Sequence, residues 1–224
     1  MIAVLASIFV VAQVESDLKY NMYYKGSWIG DTHSKIERVI IKGEKGFRQT
    51  VKTTITKSMG GYKPGFTETV GNFRESGEPI DLLHSVGTGT AAQELRLVWG
   101  ATEIKGYRTG VGQTGAYQTE EFAIPIKDNA KVNTQPLFTF LRPGAIQKDT
   151  ESELMVDPTS QKITEQQIKY LGEISVRQGD TKVPAMEYEI RQKNIMKYRL
   201  QVRLSDQVPL RIESSDGLLM VPMK

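Results

Sequence analysis

The sequence predicts an all-β fold, mostly antiparallel, built as a strongly curved sheet or half-open barrel with one short capping helix. Three observations carry this. Apolar and polar residues alternate with the strand period of two through most of the chain beyond residue 17. Short turns, mostly containing glycine, interrupt these runs and set off about a dozen strands. Helical periodicity is nearly absent, which argues against a parallel sheet with crossover helices. No linker or fixed-period repeat divides residues 17–224, so they are read as a single β-rich domain.

Residues 1–16 are set apart as a signal peptide. Ile2 to Ala12 reads IAVLASIFVVA, an apolar run with the length of a signal-peptide core, and Val10 and Ala12 are the small residues of a cleavage site. The run is shorter than the roughly 20 residues that span a bilayer, so no integral span is expected once the signal is removed. It has no Lys or Arg before it, and the competing reading is a buried first strand or helix of the domain.

Within the domain, Leu18, Tyr20, Met22 and Tyr24 share one face of a first strand, a turn falls between Gly26 and Gly30, and a second strand runs from Asp31 to Ile41. After a turn at Gly43 to Gly46, Phe47, Val51 and Ile55 face one way, while Arg48, Thr50, Lys52 and Thr54 face the other. Phe66 to Glu75 and Ile80 to Val86 follow, then Leu95, Leu97 and Trp99 alternate with Glu94 and Arg96. Ile104 to Arg108 begins the next strand, and Pro125 marks Phe122 to Ile126 as an edge or strand end. Pro136 to Leu141 breaks the strand rhythm and is read as a helical turn or two capping the open end of the sheet, stopped by Pro143-Gly144. Strands resume at Glu151 to Asp157 and Gln161 to Gln178. Met186, Tyr188 and Ile190 then face a partner strand carrying Met196, Tyr198 and Leu200. A three-residue loop at Gln192 to Asn194 would set Glu189 opposite Lys197, Glu187 opposite Arg199 and Tyr188 opposite Tyr198. Val208 to Glu213 and Leu218 to Val221 end the chain.

Composition removes several functions. Lys and Arg total 29 against 26 Asp and Glu, a net charge of +3 with no long basic run, too weak to point to nucleic acid. The absence of cysteine excludes disulfides, thiol catalysis, cysteine-ligated metals and lipoprotein acylation. The two histidines, His33 and His84, have no metalloprotease spacing, and no metal or other cofactor is expected. Gly87 to Thr90 lacks the Lys-Ser or Lys-Thr of a phosphate loop.

No residue is assigned a catalytic role. Asp31 and His33 share a strand face, but Ser34 points the other way, so the three do not form a triad. The acidic pairs Glu120-Glu121 and Glu151 with Glu153 are expected by chance among 26 carboxylates. The Lys197, Arg199, Arg203 stripe is read as a solvated face balanced by Glu187 and Glu189. The aromatics are more suggestive. Tyr24, Trp28, Trp99, Phe138 and Phe140 are the candidates to line an apolar cavity in a curved sheet, against the plainer reading that they fill the core.

The segment Tyr23 to Gly30, YYKGSWIG, resembles the opening of a group of exported bacterial β-rich proteins without assigned function. These include the non-catalytic region that precedes transglutaminase-like domains in some secreted proteins. Leu141 to Ala145 (LRPGA), the strand to Asp157-Pro158, and Val208 to Glu213 followed by Asp216-Gly217 are also similar. The resemblance implies a curved sheet like that of lipoprotein-localisation factors and a periplasmic or extracellular location. No functional residue carries over, since the chain has neither a cysteine nor a transglutaminase domain.

The leading expectation is therefore an exported, non-catalytic protein that binds a hydrophobic or lipid-like ligand on the concave side of its sheet. A structural or interaction module for another cell-envelope protein is the alternative, and an unrecognised hydrolase the third. The oligomeric state is not readable from the sequence.

Overall fold

Two-residue turns in the left-handed region fold the chain back on itself at several points: Lys25-Gly26 (φ 46° and 84°), Lys42-Gly43 (51° and 87°) and Lys193-Asn194 (49° and 64°). Positive φ at both positions gives the turn a twist that matches the twist of the flanking strands. The computed structural model describes residues 13–88, 91–111, 116–127, 130–134, 136–146, 148, 152–157 and 161–223.

The N-terminal strands are β1 (Gln13–Tyr24), β2 (Ser27–Ile41), β3 (Glu44–Ile55), β4 (Gly65–Arg74), β5 (Pro79–Thr88), β6 (Ala91–Trp99), β7 (Glu103–Val111) and β8 (Tyr117–Pro125). The short β9 (Val132–Asn133) and the helix α1 (Pro136–Phe140) come next. The remainder is β10 (Ser152–Asp157), β11 (Lys162–Gln178), β12 (Thr181–Gln192), β13 (Ile195–Arg203), β14 (Pro209–Ser214) and β15 (Leu218–Pro222). All fifteen strands form one sheet in the order β8-β7-β6-β5-β4-β3-β2-β1-β15-β14-β13-β12-β11-β10-β9. The first and last of these strands pair in its middle, with Met22 opposite Met220, and among the described strands only β9 and β10 run parallel. The sheet is curved and does not close. Its edges are β8, which ends in Pro125 and carries the exposed Glu120 and Glu121, and the two-residue β9. Charge, proline and shortness are the usual guards against edge-to-edge pairing.

Residues 1–12 of the expected signal segment lie outside the described residues. Gln13 to Ser16, on the leader side of the boundary drawn at residue 16, belong to β1 and lie beside β2. Among the described residues no helix is long and apolar enough to cross a membrane.

The buried face follows the alternation. Tyr20, Met22, Phe73, Leu82, Leu97 and Ile104 make the core of one half; Met155, Tyr188, Ile190, Leu200, Ile212 and Met220 make that of the other. Helix α1 lies in this core rather than over its rim. Phe138 stacks on Phe73 of β4 with centroids 6.1 Å apart, and Phe140 packs edge-on against Tyr198 of β13 at 5.4 Å. The helix thus bridges the two halves. Its polar backbone is tied to the sheet: Gln49 Nε2 donates to the Phe138 carbonyl at 3.0 Å, and Ser34 Oγ donates to that of Leu141 at 3.2 Å. A helix this short leaves its last carbonyls without intrahelical partners, and buried side-chain donors supply them.

Two local expectations are corrected. The first turn is Lys25-Gly26, and Gly30 lies inside β2, beside a register shift between Met22 and Tyr23. The β12–β13 pairing is displaced by two residues from the predicted one: Glu189 faces Arg199, Tyr188 faces Leu200 and Met186 faces Val202. A two-residue turn replaces the expected three-residue loop, and an irregularity between Ile190 and Arg191 takes up the difference. A shift of two keeps every side chain on its predicted face, which a shift of one would not.

Candidate functional site

Helix α1 ends abruptly. Arg142 N–H bonds the Thr139 carbonyl at 3.0 Å, Ala145 N–H bonds that of Arg142 at 3.2 Å, and Gly144 takes φ 72°. This tight turn delivers Arg142 to the open end of the concave side, beside the ends of β3 and β4. Its guanidinium carbon lies 4.8 Å from the Phe73 ring centroid and 5.5 Å from that of Phe47, and those two rings stack at 5.0 Å. Its one side-chain hydrogen bond among the described residues is a long one, 3.5 Å, to the Gly77 carbonyl. Burial pushes the guanidinium down from its ordinary value, and the charge of Glu153 opposes that shift. No carboxylate among the described residues lies within ion-pair distance of it.

Two clefts meet here, sharing Phe47, Glu75, Arg142 and Pro143 in their walls. The smaller, about 550 Å3, runs over Ile36, Val39 and Ile40 of β2, with Arg38 and Lys45 at its side. Arg38 is paired with Glu15 at 2.7 Å and approaches Glu75 at 4.0 Å. The larger, about 1510 Å3, extends past Trp99 to Val132, Asn133, Glu153 and Leu154. The Trp99 indole N–H donates to the Val132 carbonyl at 2.9 Å, fixing the ring against β9. Asn133 Nδ2 donates to Glu153 Oε2 at 3.2 Å, while the buried Asn133 Oδ1 has no partner among the described residues. Lys131 and Glu78 pair across the rim at 3.0 Å.

Burial pushes the Glu153 carboxyl above its ordinary value, against the opposing hydrogen bond from Asn133 and the charge of Arg142. A carboxyl whose folded pKa is raised favours folding most in its protonated form. Stability is therefore highest below the unfolded pKa and is lost as pH rises through the folded one. Glu153→Gln keeps an oxygen for Asn133 and removes the charge. We expect it to raise the melting temperature at neutral pH and to leave it unchanged below the ordinary carboxylate range. Thermal unfolding across pH checks this; a variant less stable than wild type at neutral pH would contradict it.

The five aromatic candidates do not converge. Trp99 lines the larger cleft. Phe138 and Phe140 are buried in the core beneath it. Tyr24 lies against Tyr62, centroids 5.6 Å apart, near the β14–β15 turn. Trp28 is 36% exposed beneath Lys57 Nζ, 5.5 Å from its ring. Of the polar groups weighed above, His33 Nε2 bonds the exposed Asp17 at 2.6 Å, and Ser34 is turned inward to α1. His84 Nδ1 bonds Thr69 Oγ1 at 2.8 Å, and burial pushes its pKa down. Glu120 and Glu121 sit exposed on the edge strand, and Glu151 lies outside the described residues. Among the described residues no group of three or more His, Asp or Glu could hold a metal ion.

Sequence reasoning missed Phe47, Arg142 and Glu153 as neighbours. A signal for Arg142 was present: it is a lone cation closing the apolar run Pro136 to Leu141, and such a charge enters a core only with partners around it. No family model matches the chain, and neither does any curated protein or solved structure.

Proposed function

We propose that this is a non-catalytic binding protein of the bacterial cell envelope that holds a hydrophobic or lipid-like ligand at the open end of its curved sheet. The observation that carries the reading is the pair of clefts meeting at Phe47 and Arg142. Small-molecule sites are concave and mostly apolar, with a few polar groups converging on them, and occupy roughly 300 to 1,000 Å3. The smaller cleft is of that size and the larger exceeds it. Export rests on the apolar segment Ile2 to Ala12.

A second reading, an interaction module for another envelope protein, is favoured by α1: Phe138 and Phe140 fill the centre of the concavity that a deep lipid carrier would leave open. Native mass spectrometry of the protein purified from its own host separates the two. A co-purifying apolar small molecule is the expected result; a bound protein with no small molecule would replace the first reading by the second. In solution, Trp28→Phe leaves Trp99 as the single tryptophan. Trp99 stands in the wall of the larger cleft and not of the smaller, so a shift of its emission on adding decanol reports a ligand in the larger cleft, and an unmoved spectrum places any bound decanol in the smaller one.

A further inference from the structure

We propose that the smaller cleft takes the head of a singly charged, single-chain anionic amphiphile, held by Arg142 and Lys45. The inference rests on the binding reading above and specifies its ligand.

Charge accounting within the cleft points to an anion. Its walls carry Glu15, Glu75, Arg38, Lys45 and Arg142. Both carboxylates converge on Arg38, at 2.7 and 4.0 Å. Lys45 and Arg142 are left without a carboxylate in ion-pair range among the described residues. A guanidinium has five N–H donors, and here one makes a long bond to the Gly77 carbonyl. Two phenyl rings lie against the guanidinium, 5.5 and 4.8 Å from its carbon, and the side chain is half-buried. A charge held in that setting interacts more strongly with an incoming anion than one in open solvent. Arg142 is thus a preformed anion receptor whose side-chain entropy is already restricted by stacking.

The same walls limit the ligand's charge and shape. Glu15 and Glu75 stand beside the cations, so a multiply charged head would meet them at close range, whereas a single carboxylate or phosphodiester leaves the cleft near neutral. Ile36, Val39, Ile40, Phe47 and Pro143 give the remainder of the cleft an apolar surface. Ile40 is 55% exposed near the tip of the β2–β3 hairpin, an apolar side chain that an alkyl chain would cover. A volume of about 550 Å3 suits one chain rather than several.

Isothermal titration of the full chain with a chain-matched pair, decanoate and decanol, tests this. Wild type is expected to bind decanoate about tenfold tighter, the scale of one charge-assisted hydrogen bond. Added salt should narrow that gap. Arg142→Gln should abolish the preference while leaving decanol binding in place, and Lys45→Gln, at an exposed side chain, should reduce it. If wild type binds both equally, the anion inference is overturned and the apolar-ligand reading stands. If neither binds, both are overturned. Should Arg142→Gln not fold, the wild-type preference and its response to Lys45→Gln still decide: a preference untouched by Lys45→Gln and by salt would overturn the proposal.

Discussion

Phe138→Ala is expected to destabilise the folded protein by about 3 to 5 kcal/mol, the range for removing a large aromatic from a closed core. Phe138 is 3% exposed and stacks on Phe73, which in turn stacks on Phe47. A methyl group at position 138 leaves a void bounded by Phe73 and by Gly71, whose missing side chain makes room for the Phe138 ring. The surrounding strands are pinned by their ladders on both sides and relax little, so the void persists. Denaturant unfolding measures the loss. The result also distinguishes core from cavity lining. A ring that lined a ligand site would, on truncation, change binding with little change in stability. A loss below about 1 kcal/mol would place Phe138 on such a surface.

The second large effect is expected at Gly30. A Cβ there would run into the carbonyl oxygen of Thr54, on the neighbouring strand. The obstacle is backbone rather than the flexible end of a side chain, so it moves only if β2 and β3 part. They are held at this point by the Thr56 N–H, which donates to the Ile29 carbonyl at 2.8 Å, and by the Thr56 hydroxyl at 3.2 Å. Gly30→Ala is expected to cost about 3 kcal/mol, the upper end of ordinary overpacking. Gly26 gives the control. It has φ 84°, and no atom lies within 4 Å of the place an added methyl carbon would take, so Gly26→Ala should cost about 1 kcal/mol through backbone conformation alone. Equal losses at the two positions would show that steric closure at Gly30 is not the reason for its glycine.

Strand existence and facing were legible because they are local properties. Met186 and Tyr188 are buried and the intervening Glu187 is partly exposed, as alternation requires. The same rule failed one residue on, at Glu189, which is buried at 8% exposure and held by Arg191 at 2.8 Å. Gln49 lies on the inward face that parity gives it, with Phe47 and Val51, but it is a polar residue there, fully buried with its amide bonded to α1. At Gln49 the partner lies in α1, outside anything a single strand's pattern contains. The register of β12 against β13 belongs to the same class. Several pairings match opposite charges and apolar residues about equally well, and the choice among them lies in the turn conformation at Lys193-Asn194.

By itself the sequence determined an all-β, mostly antiparallel and curved sheet, the inward face of most strands, the place of a short helix near Pro136, and the absence of any cysteine chemistry. These follow from side-chain alternation, turn residues and composition, each of which acts over a few positions. The tertiary structure decided that β1 and β15 meet in the middle of the sheet, that α1 fills the concavity, and that Phe47, Phe73, Arg142 and Glu153 gather at its open end. That gathering depends on strands far apart in the chain being brought together by hydrogen-bond ladders and on a helix entering between the two halves. A cleft is the space such elements leave, and its walls take shape only when all of them are in place.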